Sequence, residues 1–176
     1  VKLPVTVVRP ATVYGPRAQL LVVALVQALQ RRRLPLIDQG RHLVGLTYVG
    51  NLVDAMLLAA ESDASVGRAY NISDGTPVTW KEYLDALADM AHVPRARREY
   101  SHDRAFAMAT LWEGGYRLMG RGERPPLTRL MVELMGTDQD FPIHKARREL
   151  GYQPRVTTEE GLRYTAEWLR REGLVE

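Results

Sequence analysis

The chain has 176 residues, of which 45% are hydrophobic and 26% charged, so it is long enough for one globular domain and too apolar for a disordered segment. Its net charge of +3 comes from 24 Lys+Arg and 21 Asp+Glu scattered along the chain, which argues against a nucleic-acid-binding surface. The absence of cysteine excludes a disulfide framework and thiolate chemistry, and it fits a reducing compartment such as the cytoplasm. The longest apolar stretch, residues 20–29, is too short to span a bilayer.

The first residues predict a buried strand that leads into a ligand-binding turn. Residues 3–8 form a β-branched run without clear alternation, which is typical of a strand covered on both faces in a parallel sheet. Pro10 has no N–H to donate, so we expect Arg9 and Pro10 to end the ladder. The turn at residues 14–16 would then lie at the carboxyl end of the strand, where open α/β sheets bind their ligands. We therefore expect the chain to begin inside a domain, at the edge of a ligand crevice.

The following residues alternate between helices and strands. We predict helices at residues 20–32 and 51–61 and strands at residues 43–49 and 69–72. Asn51 is a suitable N-cap for the second helix. Thr79 and Glu82 form a capping box, which predicts a helix that extends to about His92. Two basic runs, residues 31–33 and 95–98, are interpreted as solvated charge at helix ends.

The second half of the chain is rich in predicted helices. An apolar helix at residues 105–112 precedes a glycine-rich stretch, residues 114–122, which we interpret as a flexible loop. Further helices are predicted at residues 127–135 and 145–150, with a short extended piece at residues 141–143 between them. Gly151 suits the end of the second of these helices, and a capping box formed by Thr157 and Glu160 predicts a terminal amphipathic helix.

Several catalytic and cofactor motifs are missing from the sequence. There is no glycine-rich turn between a strand and a helix, as dinucleotide binding requires. The histidines lack the spacing of a metal site; they are His42, His92, His102 and His144. None of the eight tyrosines is followed four residues later by a lysine, the arrangement that lowers the pKa of a tyrosine acid/base. We therefore predict neither a metal site nor a catalytic residue in this chain.

Four segments together resemble the carboxyl-terminal half of the extended short-chain dehydrogenase/reductases. In chain order they are RPATVYGP (residues 9–16), TYVGNLVDA (47–55), GRAYNI (67–72) and KARRELGYQP (145–154). The resemblance implies an α/β fold, with residues 1–93 completing a Rossmann-like parallel sheet and residues 94–176 forming a helix-rich substrate-binding subdomain. It also implies that the amino-terminal cofactor half, with the glycine-rich turn and the Tyr-x-x-x-Lys pair, is absent from this chain.

Two branches of this superfamily compete as the parent of the sequence. Nucleotide-sugar epimerases and dehydratases usually carry an asparagine and a diphosphate-binding arginine where this chain has Thr12 and Val44. The string at residues 48–51, together with the apolar residues 105–112, 116, 118 and 119, resembles the 3β-hydroxysteroid dehydrogenase and sterol dehydrogenase branch. An apolar lining suits a lipophilic substrate, but the same residues could equally close a helical subdomain.

The resemblance also implies roles for individual residues. Pro10 and Ala11 would contact the nicotinamide ring of the cofactor. Contacts with the substrate are implied for Thr12, Tyr14, Arg17 and Tyr48. For Tyr48, a structural role at the end of a strand is nearly as plausible. Arg9, Asp54 and Asn71 are interpreted as structural residues.

These inferences predict the substrate-binding half of an oxidoreductase that uses NAD or NADP on a secondary alcohol or ketone of a lipophilic, sterol-like small molecule. Alone, the chain is expected to be inactive, since the acid/base tyrosine would be supplied by the absent half. Two alternatives stay open: a nucleotide-sugar epimerase or dehydratase, and a non-catalytic binding module. The choice between NAD and NADP also stays open, because the residue that reads the ribose 2′ position would lie upstream.

Overall fold

The computed structural model describes residues 3–119 and 125–175, which divide into two compact units. Unit 1 comprises the described parts of residues 1–24, 45–77 and 140–176, and unit 2 those of residues 25–44 and 78–139. Each unit is therefore assembled from separate stretches of the chain. The functional division between residues 93 and 94 stays a prediction.

The described residues form short strands and longer helices. In chain order the strands are β1 (Val7–Pro10), β2 (Thr12–Tyr14), β3 (Leu36–Ile37), β4 (Leu46–Tyr48), β5 (Ala69–Ile72) and β6 (Glu99–Tyr100). The helices are α1 (Ala24–Gln30), α2 (Val49–Glu61), α3 (Trp80–Met90), α4 (His102–Leu118), α5 (Arg129–Met135), α6 (His144–Leu150) and α7 (Thr158–Arg171). A π-helical turn, Gln19–Val23, leads into α1.

The strands pair in parallel, which confirms the predicted α/β class. In unit 1, β1 pairs with β5 and β2 pairs with β4. In unit 2, β3 pairs with β6. The chain changes partner between β1 and β2: the Ala11 N–H donates to the Ile72 carbonyl at 2.9 Å, and the Thr12 N–H donates to the Gly45 carbonyl at 2.8 Å.

The first strand differs from its prediction in both extent and burial. Pro10 lies inside β1. Along a strand, every second backbone N–H faces a given parallel neighbour, and the N–H groups of Val7 and Ala11 face β5. The missing N–H of Pro10 therefore falls on the opposite edge and does not end the ladder. The side chains of Leu3, Val5 and Val7 are exposed by 79%, 53% and 44%. The predicted burial on both faces is wrong for the described residues, in which β5 is the only strand paired with β1.

The helix ends confirm the capping boxes but not the role of Asn51. In α3 the Thr79 hydroxyl accepts from the Glu82 N–H at 3.2 Å, and the Glu82 carboxylate accepts from the Thr79 N–H at 2.8 Å. The same reciprocal pair begins α7. Gly151 follows α6 with a φ of +67°, as its position at the helix end requires. Helix α2, however, begins at Val49, so Asn51 lies inside its first turn and is not the N-cap.

The predicted glycine-rich loop also differs from the structure. Gly114 and Gly115 lie within α4, so the predicted loop is wrong at these positions, and residues 120–122 of that stretch lie outside the described residues. Each glycine costs a helix about 1 kcal/mol. Packing of α4 against α5 offsets this cost, and the Glu113 carboxylate accepts from the backbone N–H and Nε of Arg129 at 2.8 Å each. Residues 141–143, predicted as a short extended piece, belong to no helix or strand of the described chain.

The core of unit 1 lies between α2, β5 and α6. Buried side chains from these elements and the following loop form one cluster: Ala55, Ala59, Tyr70, Ile72, Ile143, Ala146, Leu150 and Tyr152. The small residues of α2 allow this helix to approach the strand closely. The cluster fixes the carboxyl end of β5, on which the candidate site depends.

Candidate substrate and cofactor site

Unit 1 brings the carboxyl ends of its parallel strands together around the predicted site residues. Pro10 is opposite Ile72 at the end of the β1–β5 pair, and Tyr14 is opposite Tyr48 at the end of the β2–β4 pair. Pro10 is exposed, and Ala11 and Thr12 are half-buried. These three residues therefore form an accessible surface at the edge where open parallel sheets bind ligands.

Arg17 lies on the turn that follows β2. Its backbone has a φ of +69°, a region that few residues other than glycine adopt. The side chain is exposed, and no carboxylate of the described residues forms an ion pair with it. Gly15 shapes the same turn, because its φ is +133° and an added Cβ would lie 2.8 Å from a methyl group of Val49. The turn thus presents an accessible cation beside the strand ends.

Tyr14 is fully buried beneath this surface. Its hydroxyl donates to the Thr158 carbonyl at 3.4 Å and also hydrogen-bonds the Asp74 carboxylate. Its ring meets that of Tyr48 edge to face, with 5.7 Å between the ring centroids. These contacts tie β2 to the start of α7.

Tyr48 is 9% exposed and lies between Tyr14 and Tyr164. Burial, and to a lesser degree the neighbouring Tyr164, raise the pKa of the Tyr48 hydroxyl. A tyrosine that acts as an acid/base near neutral pH needs the opposite shift. Gly161 of α7 packs directly on these rings, and a Cβ at this position would overlap the Tyr14 hydroxyl and lie 2.8 Å from the Tyr48 ring. The environment of Tyr48 therefore suits ring packing better than proton transfer.

Asp74 is a buried carboxylate that joins the two tyrosines to α2. Its oxygens accept from the Tyr48 N–H at 2.9 and 3.0 Å and from the Asn51 Nδ2 at 2.8 Å. Burial raises the pKa of Asp74, although hydrogen bonds from Asn51, Tyr48 and Tyr14 oppose the shift. The turn that follows β5 therefore places a carboxylate in the interior of unit 1.

Asn51 uses all four of its hydrogen-bonding positions. Its Nδ2 donates to Asp74 and to the Val156 carbonyl at 2.9 Å, and its Oδ1 accepts from the N–H groups of Arg155 and Val156 at 3.1 and 3.0 Å. Sequence analysis missed this role. Asn51 shares the buried face of α2 with Ala55 and Ala59 at four-residue spacing, a signal that was present in the sequence.

Helix α4 of unit 2 carries the apolar residues that suggested a lipophilic substrate. Ala105 and Ala109 are buried and close the core of this unit. Four large apolar side chains of this helix and its end are exposed: Leu111, Trp112, Leu118 and Met119. Closure of a helical subdomain therefore accounts for the two buried alanines but not for the four exposed apolar side chains.

The described residues show neither a metal-binding cluster nor a membrane-spanning helix. Within residues 3–119 and 125–175, no group of three or more histidine, aspartate or glutamate side chains is arranged to hold a metal ion. No helix in these ranges combines the length and apolar character needed to cross a membrane.

Comparison with solved structures defines the class of protein by its fold. The chain is similar to the UDP-glucuronic acid 4-epimerase from Bacillus cereus, solved in complex with UDP-glucuronic acid and NAD, with a TM-score of 0.64 and 17% identity. The match covers 97% of this chain and 46% of that chain. The chain therefore shares the α/β fold of about half of this epimerase.

Sequence comparison then gives the family. The model of the 3-beta hydroxysteroid dehydrogenase/isomerase family matches residues 2–99, more than half of the chain. The chain belongs to this family, which confirms the resemblance seen in its motifs.

Two relatives are each 35% identical to the chain. One is a 2-alkyl-3-oxoalkanoate reductase from Stenotrophomonas maltophilia, matched over 88% of this chain and 48% of its own length. The other is a 4-hydroxy-2-methyl-3-oxo-4-farnesyl-3,4-dihydroquinoline-1-oxide ketoreductase from Stigmatella aurantiaca, matched over 89% and 46%. The chain spans about half the length of these curated relatives.

Proposed function

We propose that this chain is the substrate-binding half of an NAD(P)-dependent oxidoreductase that acts on a ketone or secondary alcohol of a lipophilic substrate. The observation that carries the proposal is the pair of relatives at 35% identity. Their names describe reductions of oxo compounds that carry an alkyl or a farnesyl group. Related enzymes commonly bind their substrates at the same edge of the sheet and differ in the surrounding loops, and this difference accounts for such variation in substrate.

The strand ends of unit 1 support a place for the nicotinamide end of the cofactor. Pro10 is exposed and Ala11 is half-buried, so the two present a small apolar surface without a bulky side chain. Such a surface fits a flat ring. The chain has no glycine-rich turn for the cofactor phosphates, which residues outside it would hold. When bound, the nicotinamide would supply hydride transfer.

The residues of this chain would bind and orient the substrate. Thr12, half-buried beside Ala11, provides a hydroxyl for the oxygen of the reacting group, and Arg17 provides a cation for an anionic substituent. Tyr48, with its small exposed rim, would contact the substrate at the crevice mouth, and Tyr14, fully buried beneath it, would support that wall. The acid/base tyrosine would come from outside the chain. The exposed apolar side chains of α4 are a second surface in keeping with a lipophilic ligand.

A nucleotide-sugar epimerase is the second candidate, and the fold similarity favours it. Two residues argue against it. Val44 is fully buried where that branch usually places an arginine for the substrate diphosphate, and Thr12 replaces the usual asparagine. Loss of a buried cation that pairs with a charged ligand costs on the order of 2–5 kcal/mol of binding. We therefore favour the oxidoreductase.

Thermal-shift measurements on the complete protein that contains this chain test the proposal. In the presence of NADH or NADPH, a 2-alkyl-3-oxo acid should raise the melting temperature and UDP-glucose should not. Thr12→Arg should abolish the shift caused by the oxo acid. Ser62→Arg, at a half-buried position after α2 in the same unit, should leave it intact. A shift with UDP-glucose alone would favour the epimerase, and no shift with either compound would favour a binding module.

A further inference from the structure

A groove of about 300 Å³ in unit 2 is lined by two segments rich in arginine. The lining residues are Leu29, Arg32, Leu34, Pro94, Arg95, Ala96, Arg97 and Arg98. We propose that this groove binds the diphosphate group of a small molecule. It shares no residue with the crevice of unit 1, so the proposal is independent of the proposed function.

Backbone hydrogen bonds hold both walls of the groove in place. At the end of α1 the Arg32 N–H donates to the Leu29 carbonyl at 2.8 Å, and the Arg33 N–H donates to the Ala28 carbonyl at 2.9 Å. The Leu36 N–H donates to the Arg98 carbonyl at 2.7 Å, which joins the starts of β3 and β6. The groove therefore lies at the amino ends of these strands, away from the edge where open sheets usually bind ligands.

The arginines of the groove fall into two groups. Arg95 is neutralised, because its Nε and Nη2 donate to the two Asp89 oxygens at 3.1 and 2.8 Å, and Asp85 lies 3.6 Å from its Nη1. The other three have no ion pair with any carboxylate of the described residues; they are Arg32, Arg97 and Arg98. Three arginines without an ion pair therefore line one groove that has no acidic residue in its lining.

Charge at helix ends, the interpretation made from the sequence, explains only part of this arrangement. Arg32 follows α1, where a cation stabilises the helix dipole. It also has a φ of +53°, a conformation that glycine adopts at lower cost. Arg97 and Arg98 lie well beyond the end of α3 at Met90, so the dipole of that helix does not account for them. An anion bound between the two segments would offset the repulsion among all three.

The chemistry of the lining selects a phosphate group among anions. Guanidinium groups bind phosphate oxygens in bidentate pairs, and several around one cleft suit a ligand with more than one negative charge. Leu29 and Leu34, 2% and 4% exposed, give the groove an apolar floor for an attached organic group. The volume is at the lower end of the range for small-molecule sites. The diphosphate could belong to a nucleotide or to a prenyl chain, which share this group.

Isothermal titration of the 176-residue chain at low ionic strength tests the proposal with three probes: inorganic pyrophosphate, ADP and geranyl diphosphate. We expect saturable binding with one site per chain. Arg97→Gln and Arg98→Gln should each weaken it about tenfold, the effect of one charge-assisted hydrogen bond. Tighter binding of ADP, or of geranyl diphosphate, than of pyrophosphate would identify the source of the diphosphate.

Arg31→Gln is the matched control. It removes the same charge from the other basic run, residues 31–33, but Arg31 does not line the groove, so binding should stay within about twofold of the parent value. Arg97→Lys keeps the charge without the bidentate fork and should fall between the parent and Arg97→Gln. Absence of binding by all three probes would overturn the proposal. So would an equal loss in Arg31→Gln and Arg97→Gln, since the binding would then reflect net charge alone. Circular dichroism confirms that each variant is folded.

Discussion

Replacement of Asn51 by leucine tests the buried network that supports the crevice. The side chain is fully buried and makes four hydrogen bonds, two as donor and two as acceptor. Leucine has a similar volume but makes none of these hydrogen bonds. The Asp74 carboxylate would lose one donor, and three backbone groups of Arg155 and Val156 would lose their partner. Each unsatisfied buried polar group costs about 1–3 kcal/mol of stability, but water can hydrate the partly buried backbone groups and reduce the total. We therefore expect the free energy of unfolding to fall by roughly 3–5 kcal/mol.

Urea unfolding followed by circular dichroism measures this loss, and the melting temperature should fall by roughly 10 °C or more. Asn71→Leu is the matched control. Asn71 is half-buried in β5, and its side chain has no hydrogen bond to another described residue, so its replacement should cost less than about 1 kcal/mol. If Asn51→Leu is no more destabilising than Asn71→Leu, the network does not support the crevice as described.

Three further predictions follow from individual contacts. Gly161→Ala should lower the melting temperature, because the new methyl group would overlap the Tyr14 hydroxyl. Gly114→Ala should raise the melting temperature, because its methyl group meets open space in α4 and alanine favours the helix more than glycine does. The hydrogen bond from the backbone N–H of Thr157 lowers the pKa of the Glu160 carboxyl below its ordinary value of 4.5. The stability that this carboxylate contributes is therefore present above pH 4.5 and is lost as the pH falls through the lowered pKa. Glu160→Gln should therefore reduce the fall in melting temperature between about pH 7 and pH 3; an unchanged acid dependence would contradict the capping role. The isolated chain should not bind NADH tightly, since the glycine-rich turn is missing, and stoichiometric enhancement or quenching of NADH fluorescence would refute this.

Local signals in the sequence predicted much of the secondary structure. The capping boxes at Thr79 and Thr157 and the glycine at position 151 were confirmed because each satisfies backbone groups within one turn of a helix. The β-branched run at residues 3–8 predicted a strand of a parallel sheet, and the family resemblance implied the α/β class. Interactions of short range can be read from neighbouring residues.

The network around Asp74 depends on contacts that are distant in sequence. Asn51 bonds Val156, 105 positions away, and Tyr14 bonds Thr158, 144 positions away. A capping role was the natural local interpretation for Asn51, and no local signal marks Asp74 as its buried partner. Only the fold shows that both side chains are buried and share a hydrogen bond. The accessible part of the candidate site, Pro10 to Thr12, came from the family resemblance, and its role stays a prediction.

The strand β1 illustrates a different limit. Its composition predicts burial on both faces, yet Leu3, Val5 and Val7 are exposed in the described structure. The apolar composition of a segment indicates that it can be buried. It does not show which neighbouring elements cover the segment, and that decides the exposure of each side chain.

The most direct test of the central proposal is the initial rate of NADH or NADPH oxidation by the complete protein with a 2-alkyl-3-oxo acid as the only other substrate. We predict a rate that is proportional to enzyme and saturates with the oxo acid. Turnover of a UDP-sugar with no oxidation driven by any lipophilic ketone would contradict the account.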